Sequence, residues 1–229
     1  MATHFLTGAG SGIGAATAEL LTARGDRLWL LARDQHTADR LREQFPTCRT
    51  VVADLAEPAA LAAALAGPDA PARLDSLLHV AGVADWGPVG DSDHELWDRT
   101  LTVNLLAPAE LTRLLLPALR AAHGHVVFMN SGAGLHAPPG LGAYAASKFA
   151  LKALAESLRA EEHPHRVRVT TVYPGEVDTP MQRRLHARFQ LEFDPSVCLT
   201  PQSVASALAT VLDHPHDGTM SDLMLRPGG

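Results

Sequence analysis

The sequence predicts an α/β protein, a single doubly wound domain over residues 1–229 with an approximately seven-stranded parallel sheet and helices on both faces. Three observations predict it. Short apolar runs of strand length alternate with helical stretches along the whole chain. The first run empties into a glycine-rich turn that opens a helix, Gly8-Ala9-Gly10-Ser11-Gly12-Ile13-Gly14. With 229 residues, 46% hydrophobic and 19% charged, the chain suits one large core and is too short for two ordinary domains and a linker. Strands separated by helices return on the same side and run parallel.

Residues 4–6 read as the first strand. Ile13, Ala16, Leu20 and Leu21 then recur at helical spacing up to Gly25, which ends the helix. Residues 27–32 form a second strand, 37–45 a helix, and 49–53 a third strand closing on Asp54. An alanine-rich helix over 58–66 and a strand over 76–81 follow. A long helix over about 93–119 comes next, with a kink expected at Pro108 and with Ser92 and Glu95 in capping-box spacing. The chain continues with a strand over 125–130, a helix over 144–161, a strand over 167–173, a helix over 203–212 and a short strand over 222–225. Residues 178–200 lack strand character between two such elements and are expected to form a lid over the substrate.

Composition narrows the function classes. A net charge of −6 offers no broad positive field, so neither nucleic acid nor a membrane surface is an expected partner. Cys48 and Cys198 are far apart and show no zinc-ligand spacing, so no metal is expected and reduced thiols in the cytoplasm are. The opening Met-Ala-Thr-His-Phe-Leu-Thr-Gly reads directly into structure rather than into a signal peptide, and no apolar run has the length of a membrane span.

The glycine turn carries the first chemical signal. Glycines between a parallel strand and a helix let the backbone approach a phosphate, and the helix N-terminus presents unpaired N–H groups. Gly8, Gly12 and Gly14 would cradle a pyrophosphate. Glycines needed only for positive φ are the bland alternative. At the end of the second strand, where a dinucleotide's ribose would lie, Arg33 and Asp34 argue opposite ways. The arginine suits a 2′-phosphate, whereas the aspartate suits a free 2′-hydroxyl.

The chain has only two tyrosines and two lysines, yet Lys148 follows Tyr144 by four positions. On a helix that spacing puts both on one face. An ammonium at ~4 Å in an effective dielectric of ~20 is worth ~4 kcal/mol, which would bring a phenol from about 10 to roughly 7 and make it an efficient proton donor and acceptor. A pair that merely packs is the alternative. Ser131 follows a strand and so lies at a carboxyl end, where ligands bind in open α/β sheets, although in Asn130-Ser131-Gly132 it could equally be a turn residue. Asn104 sits among Val103, Leu105 and Leu106, where an amide needs a partner.

Together Thr7-Gly8-x-x-x-Gly12-x-Gly14, Asn104, Ser131, Tyr144-x-x-x-Lys148 and Pro174-Gly175-x-Val177-x-Thr179 resemble the short-chain dehydrogenase/reductase family over nearly the whole chain, with Ser131 thirteen positions before Tyr144 as in that family. The resemblance implies a Rossmann domain and hydride transfer between a nicotinamide cofactor and a small-molecule carbonyl or alcohol. Tyr144 is similar to the general acid/base, Ser131 to the substrate-orienting hydroxyl, Lys148 to the group that binds the nicotinamide ribose and lowers the tyrosine pKa, and Asn104 to a water-holding relay residue. It further implies cofactor contacts at Thr7, Gly8, Ser11, Gly12, Ile13, Gly14, Arg33, Asp54, Leu55, Ala81, Gly82, Pro174, Gly175, Val177 and Thr179. Because Ala32 stands where NAD-using members have an acid, the resemblance favours NADP(H), with NAD(H) as the alternative. It also implies a homodimer or homotetramer associating through the long helices.

Two features depart from the family pattern. His79-Val80-Ala81-Gly82 replaces the usual Asn-Asn-Ala-Gly, which puts in doubt bonds that brace the sheet, and the chain ends in a brief tail. Trp86, His136, Glu176, Met181, Phe189 and Phe193 are candidates for a mixed apolar and polar pocket, though each could equally be core or surface. A cofactor-sensing protein without chemistry is the rival reading. A longer-branch sugar-nucleotide epimerase or dehydratase is disfavoured by the missing substrate domain.

Overall fold

In the computed structural model, which describes residues 1–67 and 70–228, seven strands form one parallel sheet. They are β1 (Thr3–Thr7), β2 (Arg27–Ala32), β3 (Arg49–Val52), β4 (Ser76–His79), β5 (His125–Met129), β6 (Arg168–Pro174) and β7 (Asp222–Leu225), in the order β3-β2-β1-β4-β5-β6-β7. Between them run α1 (Gly12–Ala23), α2 (Gln35–Gln44), α3 (Leu61–Ala64), α4 (His94–Leu101), α5 (Ala107–Ala122), α6 (Gly142–Glu162), α7 (Pro180–Phe189) and α8 (Pro201–Asp213).

Both faces of the sheet are covered, so the central strands read as continuous apolar runs: every residue of β5 and of β6 is buried. The period of two then sorts neighbours to opposite sides. Phe5, Leu77, Val126 and Phe128 pack with Leu111, Leu115, Leu151 and Leu158 from α5 and α6. Leu6, Leu78, Val127 and Val172 pack with Leu21, Leu41, Val204 and Leu208 from α1, α2 and α8. The strand order reverses between β1 and β4, which are neighbours in the sheet. At such a reversal the connections leave in opposite directions and open a crevice at the carboxyl ends.

The structure corrects several sequence expectations. The helix expected over 93–119 is not one unbroken α-helix. It is interrupted by a π-helical turn, Thr102–Leu106, between α4 and α5, and Pro108 stands just after that turn, at the start of α5. Ser92 does not cap α4. The Asp93 carboxylate accepts from Leu96 N–H at 2.9 Å, and the Ser92 hydroxyl donates to the carbonyls of Gly87 and Pro88 instead. The helix expected over 58–66 contracts to a 3-10 turn, Pro58–Ala60, and the single turn of α3. Within 178–200 lie α7 and a 3-10 turn, Pro195–Val197, and the ends of this segment are pinned by a short parallel bridge between Val177 and Leu199. Among the described residues no helix is long and apolar enough to cross a membrane, and no cluster of His, Cys, Asp and Glu could hold a metal ion.

Candidate active site

The glycine turn at the end of β1 is built for backbone contact. Gly8 has φ +81°, and a Cβ there would stand 2.8 Å from Ala81 N. A Cβ on Gly14 would stand 2.0 Å from Gly8 O, so α1 rests on the turn with no room for a side chain. Ser11, at the N-cap of α1, makes no side-chain cap, and no acidic residue occupies the first turn. The leading N–H groups of α1 are thus left to an anion. These features fit a dinucleotide pyrophosphate.

Thr7 takes a different place from the one expected of a cofactor contact. It is buried, and its hydroxyl accepts from Val80 N and Ala81 N at 3.1 Å each. It ties the ends of β1 and β4 together and positions the glycine turn.

A cleft of about 280 Å³ opens at the carboxyl ends of the strands. It brings together Gly8, Ser11, Gly12, Ile13 and Gly14 with Ala81, Gly82, Ser131, Tyr144, Lys148, Pro174, Gly175, Val177 and Thr179. Tyr144 and Lys148 come from the first two turns of α6, which starts at Gly142 rather than at Tyr144. The Lys148 ammonium lies 5.7 Å from the centre of the Tyr144 ring and donates to Met129 O at 2.9 Å. Ser131 follows β5; its Oγ accepts from Ala133 N at 3.2 Å, and it lines the same cleft as the Tyr144 phenol, whose pKa it works to lower.

Electrostatics at this pair differ from the expectation that the ammonium lowers the phenol. Burial pushes the Tyr144 pKa above its ordinary value, opposed in part by the neighbouring Ser131 side chain. Burial also brings Lys148 down to about 8. Desolvation penalises the charged form of both groups and is the leading cause of each shift.

Asn104 lies outside the cleft lining, in the π-helical turn. Its Oδ1 accepts from Val83 N at 2.9 Å, and its Nδ2 donates to Val83 O at 2.8 Å and to Ser147 Oγ at 3.0 Å. Ser147 Oγ in turn donates to Tyr144 O at 2.7 Å. Asn104 Oδ1 and Lys148 Nζ both face the Cα of Gly82; a Cβ there would be 3.1 Å and 3.7 Å from them.

Other expected residues are spread along the sheet. Arg33 is exposed at the end of β2, with Nε donating to Asp34 Oδ2 at 3.2 Å. Asp34 caps α2, accepting from Thr37 N at 2.7 Å. Hydrogen bonds from Thr37, and after them the one from Arg33, hold its carboxyl near 2. Asp54 accepts from Ala56 N at 2.9 Å, and Leu55 is buried; neither lines the cleft. Of the candidate pocket residues, Met181 reaches the cleft and Trp86 an adjoining groove, while His136 and Glu176 are exposed elsewhere. Phe193 packs on Arg183 and His186, and the side chain of Phe189 lies outside the described ones.

The sequence singled out His79 only as a departure from the family pattern, and it missed Asn130. His79 is buried, bonded through Nε2 to Thr112 Oγ1 at 2.9 Å and stacked on Phe128 at 4.9 Å, so the departure from the usual asparagine ties β4 to α5. Asn130 donates to Lys148 O at 3.0 Å and accepts from Ser131 N at 2.8 Å, a strut between the two. Its place directly before Ser131 was the available signal.

A family model described as short chain dehydrogenase matches residues 2–189. Dehydrogenase/reductase SDR family member 7B of Bos taurus is 35% identical over 186 residues, 76% of this chain and 57% of the relative, so the chain spans little more than half of that protein. Oxidoreductase UcpA of Escherichia coli O157:H7 is 34% identical over 217 residues, covering 92% of this chain and 82% of UcpA. Among solved structures, a metagenomic short-chain oxidoreductase in complex with NADP superposes with a TM-score of 0.83 at 31% identity, covering 100% of this chain and 97% of the other.

Proposed function

The chain belongs to the short-chain dehydrogenase/reductase family of oxidoreductases, and from that premise we propose that it interconverts a small-molecule carbonyl and an alcohol with NADP(H). The observation that carries this reading is the meeting of Ser131, Tyr144 and Lys148 in one cleft beside a glycine turn with no room for a side chain at Gly8 or Gly14.

Gly8, Ser11, Gly12, Ile13, Gly14, Ala81, Gly82, Pro174, Gly175, Val177 and Thr179 would hold the cofactor, which when bound would supply or accept the hydride. Tyr144, kept protonated by burial, is a ready donor: its O–H gives the proton to the substrate oxygen in reduction and takes it back in oxidation. The Ser131 hydroxyl donates to the same oxygen. Lys148, tethered to Met129 O, binds the ribose and passes protons to and from the phenol. Asn104 holds Val83 and Ser147 in place, and its Oδ1, facing Lys148 across Gly82, is read as holding the relay water.

NADP(H) is preferred over NAD(H) in this reading because Asp34 is committed to capping α2 while the outer nitrogens of the Arg33 guanidinium point to solvent. Asp54 and Leu55 are read as adenine contacts. Residues 1–229 are read as one cytoplasmic dinucleotide-binding domain with its lid in 178–200. Association into a homodimer or homotetramer fits the exposed Leu106 and Phe149 beside and on the long helices, and light scattering tests it.

Titration of the purified protein with NADPH and NADH, followed by cofactor consumption against ketones, aldehydes and quinones, tests the reading. Tighter NADPH binding with turnover supports it. Binding without turnover across the panel favours the sensor alternative, and no binding refutes both. Arg33→Ala is expected to weaken NADPH by roughly 10-fold or more, the loss of a charge-assisted bond, and to leave NADH unchanged.

A further inference from the structure

Helix α7 carries Arg183, Arg184 and Arg188, and the fold treats them differently. Arg183 is engaged: Nε and Nη2 each donate to the Asp178 carboxylate at 2.8 Å, and its guanidinium lies 4.7 Å from the Phe193 ring. Arg184 and Arg188, one turn apart on a shared face, make no hydrogen bond or ion pair among the described residues. Arg184 lines the cleft that holds Ser131, Tyr144 and Lys148. With Arg188 it also lines a groove that continues outward between α7 and residues 84–99, where Trp86, Leu96 and Leu185 supply apolar walls.

Charge is unbalanced at the inner end. Among the described residues no Asp or Glu lines the cleft, where Arg184 and Lys148 are the charged side chains. In the outer groove Asp85 is met by Arg99 at 3.3 Å and Asp93 is occupied by Leu96 N–H. Glu95 lines the outer groove with Arg184 and Arg188 but forms no ion pair with either among the described residues. Arg184, at the junction of cleft and groove, is therefore the cation that awaits an anion.

That anion is not expected to be the cofactor's phosphate. The start of α7 lies on the glycine turn, since a Cβ on Gly12 would be 3.1 Å from Thr179 Cγ2. Arg184 is five residues further on, about 7 Å along the axis, on the side that Trp86 and Leu96 share. Resting on the carbonyl-reductase reading above, the geometry points to Arg184 as the residue that selects substrates whose carbonyl sits near an anionic oxyacid group, carboxylate or phosphate. The planar guanidinium fork matches such a group with two parallel hydrogen bonds.

The test compares acids with neutral partners on the NADPH-bound protein: 4-oxopentanoate and 6-oxoheptanoate against their methyl esters, and dihydroxyacetone phosphate against dihydroxyacetone. Binding is read from NADPH fluorescence, independently of turnover, and NADPH oxidation is read in parallel. At least one acid should bind about 10-fold or more tightly than its partner, and which pair responds separates carboxylate from phosphate. Arg184→Gln should bring that ratio close to one, Arg184→Lys should keep part of it, and Arg188→Gln most of it, while NADPH affinity stays within about twofold. The proposal is overturned if no anion is preferred by the unaltered protein, or if Arg184→Gln keeps the preference. It is also overturned if Arg184→Gln weakens NADPH with the ratio intact, which would assign Arg184 to the cofactor. Failure of the unaltered protein to bind NADPH would instead sink the parent reading and this one together.

Discussion

At Tyr144 and Lys148 burial and function pull against each other. A fully protonated phenol suits reduction, and Tyr144→Phe removes its proton while leaving the glycine turn untouched. Turnover is expected to fall by roughly 10³-fold or more with NADPH affinity nearly unchanged, measured by cofactor oxidation and by titration. Retained turnover would remove Tyr144 from the chemistry. Lys148 gives a prediction of opposite sign. Its folded pKa, about 8, lies below the ordinary 10.5, so below pH 8 the fold bears the cost of a buried ammonium. That depression corresponds to ~3 kcal/mol, and the Met129 carbonyl's lost donor offsets ~1. Lys148→Met should therefore be more stable by about 2 kcal/mol at pH 7 and inactive, with the gain shrinking between pH 8 and 10.5 as the lysine of the unfolded chain loses its proton. Urea midpoints at pH 7 and 10 decide it, and a destabilised variant at pH 7 would show that the Met129 bond outweighs desolvation. The pairing of these two residues was legible because i and i+4 share a helix face. The outcome of their electrostatics was not, because burial depends on what α6 packs against.

Elements were legible where one periodicity ran unbroken. The seven strands follow from apolar runs whose length and spacing leave little choice, and α1 follows from its glycine turn. What escaped notice were places where a side chain competes with the backbone pattern. Between α4 and α5 the helical repeat continues through Asn104, so sequence suggested one helix. The amide instead grips both backbone polar groups of Val83, and the chain passes this point as a π-helical turn. Such a turn often marks a functional position. Asn104→Ala would leave Val83 N–H and C=O without these partners and release Ser147. A loss of about 2–3 kcal/mol in urea unfolding is expected, together with a drop in turnover larger than any change in NADPH affinity. An unaltered urea midpoint would mean that water replaces the amide without cost. The lid illustrates the same limit: α7 starts on a Thr179 cap and Pro180, but its polar composition hid it.

Across the whole molecule the unusual feature is a set of histidines inside the sheet. His4 on β1, His79 on β4 and His125 on β5 are all buried. His4 Nδ1 pairs with Ser76 Oγ at 2.7 Å, and His125 Nε2 with Thr170 Oγ1 at 2.7 Å. The Thr170 hydroxyl donates to Met220 O, so it accepts from His125, whose Nε2 thereby carries the proton of the bond. Burial brings His79 and His125 down to about 3 and lowers His4 as well. In the unfolded chain each would titrate near 6.5. A folded pKa below the unfolded one means that the unfolded chain gains protons first as pH falls. For His79 and His125 stability is then full above about pH 6.5 and drains away toward pH 3, at ~1.4 kcal/mol per pH unit for each of the two. At pH 5 His79 and His125 together would cost about 4 kcal/mol, a large share of the typical 5–15 kcal/mol. Paired carboxylates such as Glu162 act in a lower window, because their unfolded pKa is near 4.5. Urea midpoints between pH 7.5 and 5 should therefore fall steeply before any carboxylate titrates. His79→Asn, which installs the residue usual at this position, should flatten that fall by about a third to a half, even if it costs stability at pH 7.5 by leaving space beside Phe128. Parallel profiles for the two proteins would mean that His79 takes up its proton without unfolding the sheet.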